Sequence, residues 1–227
     1  MCWQRLPRYY WTRRAQAILS TLDQEKYDPV PIQRLLDEGI LVTFSGHGSP
    51  PAKFKGKGEI PYVRVADIVN WEMYKNPTSG LPRHVYLKKK GKGGVDLQAA
   101  DILFVRRGSY RIGTVAMVSP FDREVLLTKE FVVMRVVNSD NKYNINPYYL
   151  IYLLSHRFTQ SQLPQKILIE TTLPNIGDRW KELVLPVHKN AIESEKITTR
   201  IKDAFDSKWR AQTAIQELRT EYGGITT

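Results

Sequence analysis

Cysteine is almost absent. Cys2 is the only one in the chain, so neither an intramolecular disulfide nor a Cys-rich zinc site can form. Histidine is scarce too, and His47, His84, His156 and His188 show no i, i+4 metal spacing. No apolar run approaches the roughly 20 residues of a membrane-spanning helix. The basic stretches are Gly-rich rather than amphipathic-helical, which argues against a lipid surface as partner. The opening Met-Cys-Trp-Gln-Arg lacks the apolar core of a signal peptide, so a cytoplasmic protein is expected. Acidic residues are also short of basic ones, 23 against 34, leaving a formal net charge of +11.

That positive charge is unevenly spread. Between Pro51 and Arg111 there are 13 Lys or Arg against 5 Asp or Glu, a net +8, while the rest of the chain carries only +3. A local excess of this kind is the electrostatic footprint of a face that binds a polyanion, and nucleic acid fits it better than lipid. With 227 residues and 42% hydrophobic content, the chain can bury a substantial core in one large domain or two small ones.

Along the chain, residues 1–28 are aromatic and basic (Trp3, Tyr9, Tyr10, Trp11, Arg13, Arg14), then helix-like through Ile18 and Leu22 until Pro29 and Pro31. Ile32 to Leu36 reads as a short helix ending at Gly39, and Ile40 to Phe44 as a strand. A Gly-rich loop from Ser45 continues into Lys53, Lys55 and Lys57, which alternate with Phe54, Gly56 and Gly58. Ile60 to Ile68 and Val85 to Leu87 read as strands, and Lys88 to Gly94 as a basic turn. The β-branched runs 114–118 and 125–137 suggest paired strands around a turn at Pro120. Asn146 is placed to cap a helix running from Pro147 to Phe158, and Trp180 to Val187 reads as a last strand. The fold class is α+β: a strand-rich mixed domain over 29–190, followed by a long helix over 191–222 that stops at Gly223-Gly224. On that helix Ile197, Ile201, Ala204, Lys208, Ala211, Ile215, Leu218 and Tyr222 form a heptad-like seam suited to a partner helix. A competing stripe, Ile197, Ile201, Phe205 and Trp209, is suited to packing on the domain itself.

The enzyme-like motifs fail on their chemistry. Ser45-Gly46-His47-Gly48-Ser49 is not a nucleophile elbow, and neighbours on one loop cannot by themselves form a proton-transfer triad. Gly91-Lys92-Gly93-Gly94 is too short for a phosphate-cradling loop and lacks the strand–helix context. Asn146-Pro-Tyr-Tyr149 resembles the Asn-Pro-Pro-Tyr tetrad of adenine methyltransferases, but the second proline is missing and no Gly-rich turn for a methyl donor precedes it. Glu193 and Glu195 read as a solvated helix face. No catalytic residue, metal site or cofactor is expected.

Several segments, in order, resemble the target-recognition domain of type I restriction–modification specificity subunits and of adenine methyltransferases that carry a similar domain. Ser45-Gly46…Gly48-Ser49-Pro50 is similar to that family's Ser-Gly-Gly-Thr-Pro turn, and Ile60-Pro-Tyr-Val-Arg64-Val-Ala-Asp67-Ile68 to its Ile-Pro-Trp-Ile-x-x-x-Asp-Ile strand. Asp101-Ile-Leu-Phe-Val-Arg106-Arg107-Gly108-Ser109…Gly113 is similar to its Asp-Ile-Leu-Phe-Ser-Arg-x-Gly-Ser/Thr…Gly element. Tyr148-Tyr149-Leu150…Leu154, Pro174-Asn175 and Leu183-Val-Leu-Pro186 match its later helix, loop and strand, so the resemblance spans about residues 28–205. It implies a non-catalytic specificity component of a phage-defence system. Such a component reads one half-site of double-stranded DNA and docks a DNA methyltransferase subunit through the long helix. The chain departs from the family pattern in having one recognition domain and one helix where a full subunit has two of each. The resemblance therefore implies either a half-subunit that forms a homodimer or helix–helix partner through 197–222, or a recognition domain separated from its methyltransferase.

For the DNA-binding reading, Lys53, Lys55, Lys57, Lys88, Lys89, Lys90 and Lys92 are the expected phosphate contacts. Arg106, Arg107, Ser109, Tyr110 and Arg111 are the expected base-reading group, with Ser45, His47 and Ser49 as secondary candidates. Arg64 is either a further contact or a structural partner of Asp67 or Asp101. The rival reading is an RNA-binding or protein-interaction module, with Tyr62, Tyr86 and Tyr110 stacking single-stranded bases.

Overall fold

A computed structural model describes residues 17–91, 94–168 and 174–223. Its elements in chain order are β1 (Tyr27–Pro31), α1 (Ile32–Asp37), β2 (Leu41–Ser45), β3 (Tyr62–Val63), β4 (Ile68–Val69), β5 (Glu72–Met73), α2 (Arg83–Lys90), β6 (Ile102–Val105), β7 (Val115–Met117), β8 (Leu126–Leu127) and β9 (Phe131–Val136). They continue with α3 (Pro147–Ser155), α4 (Arg157–Ser161), α5 (Leu163–Lys166), β10 (Val184–His188) and α6 (Ala191–Glu221).

The centre is an antiparallel four-stranded sheet in the order β2-β9-β6-β7. Every side chain of β6 is buried, and successive ones enter opposite cores. Ile102 and Phe104 join Leu150, Leu153, Trp180 and Phe205 on the helical side. Leu103 and Val105 join Val63, Ile68, Met73 and Leu127 on the other. An unbroken apolar tetrapeptide is what a strand covered on both faces requires. At one end of the strand Asp101, only 1% exposed, takes a bidentate Arg135 at 2.7 and 2.8 Å, so the buried carboxylate is paired. Asp101 is thus not the partner of Arg64, which pairs with Asp67 at 3.2 Å.

Around the sheet, β1 pairs antiparallel with β10, bringing residues near both ends of the described chain together. A small parallel pair, β3–β8, and the hairpin β4–β5 cover the second face. The hairpin turns through Asn70 and Trp71, both at positive φ (49° and 65°), the pattern of a type I′ turn. Trp71 tolerates this backbone because its indole N–H donates to Ser155 Oγ (2.8 Å) and its ring stacks on Phe205. A third cluster, Ile60, Tyr62, Leu81, Tyr86 and Leu126 with Phe54 against it, supports α2.

Several expectations need correction. Residues 85–87 are helix, not strand: α2 buries only Val85 and Tyr86, too few for a strand-like alternation. Lys88–Lys90 are its last turn rather than a free basic turn, where cations meet the negative end of the helix dipole. The runs 114–118 and 125–137 do not pair with each other. β7 joins β6, β8 joins β3, and β9 runs between β2 and β6. The 60–68 stretch keeps only the two-residue strand β3 before a 3-10 turn, Val65–Asp67, and residues 179–182 are 3-10 rather than strand. The helix from Pro147 breaks at His156 (ψ 138°), although Asn146 does cap it, its Oδ1 accepting from Tyr149 N–H at 3.0 Å.

The two stripes of α6 share Ile197 and Ile201 and differ in exposure further along. Phe205 is buried, and Ile197, Ile201 and Trp209 are partly buried against the domain. Lys208 pairs with Glu72 of the hairpin. Ala204, Ala211, Ile215, Leu218 and Tyr222 of the heptad seam all lie exposed.

Candidate nucleic-acid interface

Strand direction brings three loops to one end of the central sheet. β2 leaves the sheet at Ser45, β6 at Val105, and β9 enters at Phe131, so the loops after β2 and β6 and the loop before β9 emerge side by side. Their backbones interlock. Gly46 N–H donates to Phe131 O, Gly48 N–H to Leu127 O, and Arg106 N–H to Glu130 O. Gly46 is required there: a Cβ would sit 1.9 Å from Thr128 O. The Arg106 guanidinium reaches Lys129 O at 3.3 and 3.4 Å and stands 3.9 Å from Asp178.

The segment after β6 is built as a rigid crown. Gly108, at φ +128°, presses against Val65, and its N–H donates to Pro174 O. Arg107 and Asn175 form an isolated antiparallel bridge, tying the crown to the loop around residue 175. A 3-10 turn, Ser109–Arg111, follows. It closes with Arg111 N–H to Gly108 O and Thr114 N–H to Arg111 O, and Gly113 N–H returns to Val105 O. Arg111 Nη1 donates to Ile68 O at 2.9 Å, which roots the crown on the β4–β5 hairpin. The same hairpin holds α6 through Trp71 and Glu72, so one strut joins the cationic crown to the long helix.

His47 lies inside this frame rather than on it. The residue is 6% exposed; Nδ1 accepts from Leu127 N–H (3.1 Å) and Nε2 faces Val95 O at 2.9 Å. With Nδ1 an acceptor, Nε2 must be the donor, so the neutral Nε2–H tautomer is specified. Burial pushes its pKa below the ordinary value, and the Lys89 and Lys90 charges add to this. Both nitrogens are committed to the backbone, so His47 is a positioning residue that holds the lysine-bearing helix and its following loop against the sheet. It offers no donor to a base.

The other candidates fall on or beside this surface. Ser49 accepts from Tyr62 O–H at 3.3 Å, and Lys55 lies over the Tyr62 ring. Phe54 meets His84 of α2 edge-on, with Lys53 over its ring, so the lysine loop and the lysine helix form one lobe. Within this surface Lys90 is taken by Asp96 (2.7 Å), Arg83 by Glu124 (2.8 Å) and Arg64 by Asp67. Lys53, Lys55, Lys57, Lys88, Lys89, Arg107, Arg111 and Lys129 have no ion pair among the described residues. Lys92 lies outside the described residues. Ser45 sits at the end of β2, exposed. Lys129 was missed from sequence because the run 125–137 read as one strand, hiding the turn that presents it. Among the described residues no group of three His, Cys, Asp or Glu is arranged to hold a metal ion, and no helix is long and apolar enough to cross a membrane.

Compared with family models and with curated proteins, the sequence finds no match. Solved structures do match. The type I restriction–modification system S subunit from M. genitalium superposes with a TM-score of 0.53 at 14% identity, covering 86% of this chain and 44% of that one. The HsdS subunit from Thermoanaerobacter tengcongensis gives a TM-score of 0.48 at 13% identity, covering 89% and 45%. The chain spans less than half the length of these neighbours. Over the matched part it therefore has the fold of the type I restriction–modification S subunit, an α+β architecture followed by a long helix.

Proposed function

We propose that this chain is a sequence-specific double-stranded DNA recognition component of a restriction–modification system, reading one half-site and leaving chemistry to a methyltransferase partner. The observation that carries the reading is the convergence of Arg106, Arg107, Arg111 and Lys129 on interlocked loops at one end of the sheet, beside a lobe of unpaired lysines. Planar guanidinium forks on a rigid crown suit the hydrogen-bonding edge of guanine, and lysines on the adjoining lobe suit the phosphate backbone.

The exposed seam on α6 is the surface we assign to docking, either of the methyltransferase or of a second copy that supplies the other half-site. Ile215, Leu218 and Tyr222 are exposed and keep heptad-like spacing, while the neighbouring stripe centred on Phe205 is used by the domain. The test of the DNA reading is the salt dependence of binding to a 30-base-pair duplex. The affinity should fall steeply and linearly on logarithmic axes, with a slope set by the number of phosphates neutralised. A flat salt response, or equal affinity for single-stranded RNA of the same length, would refute it.

A further inference from the structure

Tyr110 is 85% exposed, the most exposed of the large hydrophobic side chains among the described residues. It does not sit on a loose tip. Its turn is closed by backbone hydrogen bonds on both sides, and the next residue is pinned to Ile68 O. The Arg111 guanidinium lies over the ring, 5.4 Å from its centroid, so one aromatic face is backed by a fixed cation. The ring is therefore presented from a closed, hydrogen-bonded turn that follows Arg106 and Arg107, with Arg111 against one face. Its stacking therefore costs little further conformational entropy.

The surrounding cations select a polyanionic partner, and the free ring needs a flat π surface. In duplex DNA the only such surfaces are base faces, and an intact stack hides them. Groove edges and phosphates offer the ring nothing comparable. We infer that Tyr110 is a stacking residue that enters an opened base step of the duplex, so that the crown deforms its DNA as it reads it. Aromatic and apolar wedges act in this way when the unstacking cost is offset by the contacts that the opened step allows. The inference rests on the duplex-binding reading above, but it assigns Tyr110 a face-to-face contact rather than a hydrogen bond to a base edge.

The experiment compares two fluorescein-labelled 30-base-pair duplexes of the same sequence, one intact and one with a central abasic site, by anisotropy at fixed salt. The abasic duplex presents base faces without the cost of unstacking. The wild-type chain should bind it more tightly than the intact duplex. Stacking of one base is worth roughly 5- to 150-fold in affinity, and Tyr110→Ala should lose the preference by a factor in that range. Tyr110→Phe and Tyr110→Trp should keep the preference, because the ring and not the hydroxyl makes the contact. Tyr110 is exposed, so Tyr110→Ala should melt at the wild-type temperature, which a circular-dichroism melt checks. An equal preference in wild type and Tyr110→Ala, or none in wild type, with both duplexes still bound, overturns the stacking role alone. Failure of the wild type to bind either duplex overturns the duplex reading and this inference with it. Loss of the preference in Tyr110→Phe overturns stacking in favour of a hydroxyl contact.

Discussion

Replacing His47 by Ala removes both hydrogen bonds that stitch the Gly-rich loop to β8 and to the segment after α2. Leu127 N–H and Val95 O then lose their partner inside the protein. An orphaned buried polar group costs roughly 1–3 kcal/mol, so the two together cost about 2–6 kcal/mol, less whatever water can enter to satisfy. The imidazole also packs on Tyr86 and lies where a Cβ on Gly94 would clash, so its removal leaves a void in the same place. Urea denaturation near pH 7.5 measures the loss. His47→Gln, whose amide has one donor and one acceptor, should recover part of it. Because His47 positions the cationic surface without touching a ligand, duplex affinity should fall in His47→Ala more than in His47→Gln. A stability loss under about 0.5 kcal/mol for His47→Ala, the range of an ordinary surface substitution, would refute the assignment of His47 as a buried brace.

Further outcomes follow from the same contacts. Burial depresses the pKa of His47, His156 and His188, so the unfolded chain binds protons more readily than the folded one. Stability should be fully present above about pH 6.5 and fall as acid protonates the unfolded state, by at most about 1.4 kcal/mol per pH unit for each histidine; chemical denaturation from pH 8 to 5 reads this, and a flat profile contradicts it. Asp101→Ala strands Arg135 in a largely buried site and should cost about 3–5 kcal/mol in the same denaturation experiment. Leu218→Glu lies on the exposed seam of α6 and should leave the thermal melt within about a degree while abolishing self-association or methyltransferase capture, read by analytical ultracentrifugation; a lowered melting temperature would mean that this stripe packs on the domain.

The strand Ile102–Val105 was legible in sequence because a fully apolar tetrapeptide ending in Arg106-Arg107 has one natural place, a strand covered on both faces with its charges at the rim. The Asn146-Pro147 cap was legible because it is local chemistry within four residues. What could not be read is non-local. Nothing in 125–137 says that Leu126–Leu127 will pair with Tyr62–Val63 while Phe131 onward joins β2 and β6. The lysine-rich α2 hides its helical character because only two of its residues need a core. His47 read as a surface residue because glycines flank it, yet those glycines permit the close approach of Thr128 and Lys129 that buries it. On α6 both stripes read from sequence exist. Which one the domain uses is decided by Trp71 and Tyr148, which pack against Phe205 from distant parts of the chain.

Selection from a pool of duplexes with a randomised ten-base-pair core would separate base reading by the crown after β6 from phosphate holding by the lysine lobe. The wild type should enrich one short motif. Lys89→Ala should enrich the same motif with weaker binding throughout, and Arg107→Ala should leave at least one position of it unspecified, a discrimination of roughly 1–3 kcal/mol per bidentate contact. No enriched motif with the wild type, or an unchanged motif with Arg107→Ala, would rule out base reading by the crown.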